Sequence, residues 1–289
     1  MTSTLAAEPR YRLVPRSTPA PFVIAGLAFV VLFWEPLATL ARDWWTFPEA
    51  AHGLLLAPLA LYLAWRAGFT ATSTPQPAAG IGLLIAAVCL RYLSGLAAEL
   101  FTMRLSMLGA IVALVVWSRG VGQVRQWWLP LTLILLSVPI PVVVLGSVAL
   151  PLQLEASRMG AAMLVWRHVP VEITGNILNL PGRSLFVTEA CSGLRSLTAL
   201  LALGVLIGGL WLRSGWARVA LLLVAVPVAM AVNGVRVFLT GYLMYWVSPR
   251  LGEGFMHYTQ GWALFVAAFL ALGATAWGLS LLEQRGAST

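Results

Sequence analysis

The sequence predicts an all-α polytopic membrane protein of about eight transmembrane helices, with both termini cytoplasmic and a small outer β-hairpin before a lone cysteine. Three observations carry this. Of 289 residues, 60% are hydrophobic and only 10% charged, with a mean hydropathy of +0.88, whereas soluble domains carry about 25% charged residues. Several apolar runs approach the length of about 20 residues that spans a bilayer. The arginines gather in alternate connections, at 10–16, 66, 119–125, 213–218 and 285. That spacing puts them on one face, and the positive-inside rule makes the face cytoplasmic. The net charge of +8 is therefore explained by topology, and a nucleic-acid partner is not expected. No internal repeat is evident.

Residues 1–20 read as a disordered basic tail, residues 21–283 as one membrane-embedded domain and residues 284–289 as a short cytoplasmic tail. A first helix is expected over about Pro21–Ala41. It is read as retained, because no small-x-small cleavage site follows it. The segment ARDWWTFPEAAHG reads as an outer interfacial loop. Helices over about Gly53–Trp65, Ala79–Ala97 and Arg104–Ser118 follow, the second carrying Cys89 and Arg91. A fifth begins at Trp127–Pro130 and is interrupted by Pro139 and Pro141. The stretch Pro151–Trp166, with Gln153, Glu155 and Arg158, reads as a helix lying in the outer interface rather than a span. Alternation in VEITGNILNL and SLFVT, divided by Pro181 and Gly182, predicts the hairpin. Helices from Cys191, from about Val219 and from about Tyr258 complete the chain.

On this topology Cys191, Arg236 and His257 reach the outer side. Cys191 opens a helix whose positive dipole end favours a thiolate, and Ser192 and Gly193 leave room for another backbone. Cys89 sits mid-membrane on another helix, so no disulfide is expected. The competing reading of Cys191 is a small buried hydrophobe. Arg236 lies 18 residues after Arg218 (236 − 218), about 27 Å along a helix. An arginine at that depth is functional by default unless it snorkels, and Asn233, one turn earlier, favours an inward polar face. Cys191 and His257 at matching depth suit a nucleophile and its general base, with Arg236 positioned for an oxyanion. Glu189, Ser192, Arg195 and His52 are supporting candidates. Ser184 lacks a nucleophile-elbow context. His52 and His168 lack ligand-spaced partners, so neither metal nor cofactor is expected. A transporter or lipid-binding protein with Arg236 and Asn233 lining a substrate path is the alternative, weakened by the absence of repeats.

The chain strongly resembles the exosortase/archaeosortase family of membrane cysteine transpeptidases. EACSGLRSL (Glu189–Leu197), NGVR (Asn233–Arg236) and HYTQGW (His257–Trp262) carry the resemblance, supported by AHGLLLAPLALYLAW (Ala51–Trp65) and GNILNLPG (Gly175–Gly182). It covers roughly residues 30 to 280. It implies Cys191, Arg236 and His257 as the catalytic set, and as substrates exported proteins whose C-terminus carries a recognition motif, a membrane helix and a basic end. It further implies an acceptor nucleophile of unknown kind and a bacterial inner membrane with the site facing the periplasm, often in producers of extracellular polysaccharide. The short C-terminus implies no fused extra domain.

Overall fold

The computed structural model describes residues 20–187, 194–248 and 254–286. The proposed N-terminal tail lies almost wholly outside the described residues. These form eleven helices and one three-stranded sheet. Four helices are long and apolar enough to cross a membrane: α4 (Pro77–Leu96), α5 (Leu100–Arg119), α10 (Gly215–Trp246) and α11 (Gly254–Gly286), the last over Gly261–Arg285. A bent pair, α1 (Ala20–Leu32) and α2 (Trp34–Thr46), makes a fifth if counted as one span. Eight full-length spans is a finer count than these lengths support. Helix α3 (Gly53–Ala67) has 15 residues and α7 (Trp128–Leu136) has nine. At 1.5 Å per residue neither crosses a core of about 30 Å.

The single first helix expected from the sequence is broken at Phe33, where α1 and α2 meet at 67°. Pro36 explains the break: in a continuous helix its ring would meet the carbonyl of Leu32. The segment expected as the start of an interfacial loop instead finishes α2. Glu35 and Asp43, eight residues apart on one face, pair with Arg91 of α4 at 2.9 Å and Arg104 of α5 at 2.6 Å. Helix α2 therefore lies across the antiparallel α4–α5 pair and is bolted at both ends. Glu99, in the turn between α4 and α5, caps α5 by accepting from the backbone N–H groups of Phe101 and Thr102. The Thr102 hydroxyl and N–H hold its carboxyl below the usual carboxylate range.

Arg104 is only 3% exposed. Removing its partner leaves a buried charge uncompensated, so Asp43→Ala should destabilise the protein by about 3–5 kcal/mol. Thermal unfolding in detergent checks this. An Asp43→Leu, Arg104→Met double variant should recover much of the loss, because it removes both charges.

Helix α8 (Val142–Trp166) is continuous through Pro151, so the stretch 151–166 is the second half of a longer helix rather than an element of its own. Its second half runs parallel to and against α10. A Cβ on Gly160 would come 2.5 Å from Val237, and one on Gly234 would come 2.8 Å from Met159. Only glycine permits that approach. The expected hairpin is a three-stranded antiparallel sheet: β1 (Glu172–Thr174), β2 (Ile177–Leu180) and β3 (Arg183–Phe186). The extra turn is Gly175–Asn176, with Gly175 at φ +64, as a type II′ turn requires. Pro181–Gly182, with Gly182 at φ +76, makes the second. The C-terminal segment expected as a tail is helical as far as Gly286.

Candidate active site

Helices α9 (Leu194–Trp211), α10 and α11 form an up-and-down unit around a core that includes Leu200, Leu221, Ala225 and Leu272. Its register is set at one end. Glu283 of α11 accepts from the N–H of Arg213 at 3.2 Å, from the N–H of Ser214 at 2.7 Å and from the Ser214 hydroxyl. Arg218, over the Trp128 ring at 4.7 Å, belongs to this end too. Arg236 stands 22 residues beyond Ser214 (236 − 214), and Gly261 stands 22 residues before Glu283 (283 − 261). Both therefore lie about 33 Å from the clamp along their helices.

The side chain agrees with the count. A Cβ on Gly261 would lie 3.4 Å from Nη2 and 3.6 Å from Cζ of Arg236. The half-buried guanidinium thus rests against the bare backbone of α11. Position 257 is four residues before Gly261, on the same helix face. Asn233, one turn before Arg236, is 4% exposed. It lines a cleft with Leu152, Glu155 and Ala156 of α8, Leu197 of α9 and Met230 of α10.

The sheet brings a further part of the chain to this place. The Asn176 amide donates to the carbonyl of Val187 at 3.1 Å and to Gln153 Oε1 at 3.3 Å, while Val187 N–H donates to the Asn176 carbonyl at 2.9 Å. Gln153 is buried on α8, next to Leu152 of the cleft. Arg183 anchors the other edge by donating to the carbonyl of Met244 on α10. The end of β3 is thereby tied to the helix that forms one wall of the cleft, and α9, which resumes at Leu194, forms another.

Glu189, Cys191 and Ser192 lie outside the described residues. Arg195 falls in the first turn of α9 and His257 is the fourth residue of α11; their side chains lie outside the described residues. His52 precedes α3, and its Nε2 lies 3.1 Å from the carbonyl of Leu136. With Trp44, which donates to the Ser137 carbonyl at 2.7 Å, it satisfies the orphan carbonyls at the end of α7. His168, at φ +59, ends α8 in the left-handed conformation, and the Ser184 hydroxyl donates across the sheet to Asn179 at 2.8 Å. Among the described residues no three His, Cys, Asp or Glu side chains converge as a metal site would need. Sequence reasoning missed Gly261 and the Asn176–Gln153 tie. Gly261 was detectable as the small residue one turn after His257, whereas a contact between residues 23 apart leaves no sequence signal.

Long apolar helices define a multi-pass membrane protein, and Asn233 and Arg236 stand together on α10, well away from the Glu283 clamp. A family model described as Transmembrane exosortase (Exosortase_EpsH) matches residues 44–274, and the chain belongs to the exosortase family. No curated protein and no solved structure matches it.

Proposed function

We propose that the protein is a membrane cysteine transpeptidase that cuts the C-terminal sorting tail of exported proteins through a thioester on Cys191. The observation that carries this reading is the Arg236 guanidinium seated against Gly261, one helical turn from position 257. Chain connectivity supports it, since Cys191 lies four residues after the tethered Val187 and three before α9. Cys191, at the positive end of α9, attacks the scissile carbonyl, and His257 takes the thiol proton and returns it to the departing amine. Arg236 donates to the oxyanion of the tetrahedral intermediate. An acceptor nucleophile or water then releases the acyl group. Glu189, Ser192 and Arg195 are neighbours of the thiol in sequence and are the proposed supporting residues. The site faces the periplasmic side of the inner membrane, and the substrate's own membrane helix enters sideways from the bilayer.

Two measurements test this. On intact cells, a membrane-impermeant thiol reagent should modify Cys191 and leave Cys89, midway along the apolar helix α4, untouched; modification of Cys191 only from the cytoplasmic side would reverse the orientation. Co-expression with candidate tailed proteins, followed by mass mapping, should reveal a new C-terminus at one fixed distance before the substrate's membrane helix. A transporter with the same arginine would leave every tail intact.

A further inference from the structure

A second cavity lies where α5 ends and the short helix α6 (Val121–Gln126) begins. Phe69, Val115, Ser118, Arg119 and Trp127 line a space of about 440 Å3, within the range of roughly 300–1,000 Å3 usual for small-ligand pockets. The linker between α3 and α4 supplies Phe69, and side chains from α6 and its flank pin that linker in place. Gln123 is fully buried and uses both ends of its amide. Its Nε2 donates to the carbonyl of Gly68 at 3.1 Å, and its Oε1 accepts from the N–H of Thr70 at 2.9 Å. The Trp127 indole donates to the same Gly68 carbonyl at 3.0 Å, and its ring centre lies 5.6 Å from that of Phe69. The wall is fixed.

Arg119 brings a cation to it. Its Cζ sits 4.3 Å from the centre of the Phe69 ring, so one face of the guanidinium is stacked while its N–H edges stay available. Among the described residues that guanidinium makes no ion pair. Between Arg66 and Gln126 the only carboxylate is Glu99, which caps the opposite end of α5. Glu283 is committed to Arg213 and Ser214. The pocket therefore offers donors and positive charge with no acid to answer them.

We infer that this pocket binds the headgroup phosphate of an anionic phospholipid, independently of the reaction proposed above. The edge of a guanidinium gives a phosphate two parallel hydrogen bonds. Depth selects the rest of the ligand. Helices α4 and α5 are paired spans of 20 residues each, so the end they share, at Pro77 and Arg119, marks a boundary of the hydrocarbon. Val115 lies one turn inside Arg119, about 6 Å deeper. The pocket is thus charged at its rim and apolar toward the membrane interior, which suits a phosphate carried on a diacylglycerol. A free anion would leave the apolar depth unfilled. Exposed Trp65 and Trp117 stand at the same end, as aromatic side chains do at headgroup level. A choline headgroup is a poorer fit, because Arg119 already covers the Phe69 face that a quaternary ammonium would use.

The test titrates the full chain, in a neutral detergent, with dioctanoyl phosphatidylglycerol and counts bound lipid by native mass spectrometry. One molecule should bind ahead of the rest, and dioctanoyl phosphatidylcholine should bind more weakly. Inorganic phosphate should compete poorly. Arg119→Gln should weaken phosphatidylglycerol about ten-fold, the value of one charge-assisted hydrogen bond, and erase its advantage over phosphatidylcholine. Arg125→Gln removes an exposed cation that lines no part of the pocket, and it should leave the affinity nearly unchanged, since a solvated charge is screened. Val115→Trp fills the apolar depth with every charge in place and should also weaken the lipid. Equal affinity for the two lipids, an unchanged affinity in Arg119→Gln, or an equal loss in Arg125→Gln would overturn the site. Competition by inorganic phosphate as strong as that by the lipid would overturn the choice of ligand. If Arg119→Gln does not accumulate as folded protein, Val115→Trp and the comparison of the two lipids decide.

Discussion

Cys191→Ala, in protein inserted at wild-type abundance, should leave the C-terminus of its tailed substrate uncut. The expected loss is complete because the other steps all depend on the thioester, and no second thiol can substitute. Cys89 lies exposed on a different helix, α4. Cys191→Ser should be nearly as damaging, since a hydroxyl is far harder to ionise than a thiol beside the same base. His257→Ala should differ in kind: it slows formation of the thioester, and raising the pH should restore part of the rate by ionising the thiol directly. Mass mapping of the substrate C-terminus reads all three variants. Shortening at the wild-type position by Cys191→Ala would remove the nucleophile from the mechanism and the transpeptidase reading with it.

The parts of the fold that were legible in the sequence are those that local pattern controls. Apolar runs located α4, α5 and α10 to within a few residues, because lipid exposure forces nearly every position along them to be apolar. What escaped was set by contact between distant segments. The break at Phe33 follows from Pro36 together with salt bridges to Arg91 and Arg104, and neither partner can be identified from residues 20–46 alone. The stretch 151–166 was legible as a helix, but not as the second half of the longer α8. Its polar positions are in use: Gln153 meets Asn176, Ser157 bonds the Gln153 carbonyl, and Glu155 lines the cleft. The third strand was hidden in a Gly175–Asn176 pair read as the interior of one strand, although that dipeptide is itself a turn signal. Arg236 and Asn233 were legible as candidates because polar groups inside a long apolar helix stand out. Gly261 could be picked out as the small residue one turn after His257, but its contact with Arg236 joins two helices and leaves no local signal.

That glycine makes the role of Arg236 separable from its charge. Arg236→Lys keeps the cation but replaces a planar fork with a single-point donor that cannot give two bonds to one oxyanion. Processing should fall on the order of 10²–10³-fold, the cost of losing an oxyanion donor, with the protein still folded and inserted. Gly261→Val leaves the arginine intact and moves it. The first carbon alone comes to 3.4 Å from Nη2, so the two branches beyond it must push the guanidinium off the α11 backbone. A displacement of about 1 Å costs roughly 10²-fold in a reaction that depends on placement. Gly261→Ala should cost far less, because its one carbon makes no more than an ordinary van der Waals contact with the guanidinium. The graded series Gly, Ala, Val at position 261 is therefore the sharper experiment. A role in anchoring the helix to lipid headgroups predicts equal processing across it, since the charge and its depth never change. A role at the oxyanion predicts that rate falls as the arginine is pushed away, and that Gly261→Val combined with Arg236→Lys is little worse than either alone, because the two act on one interaction.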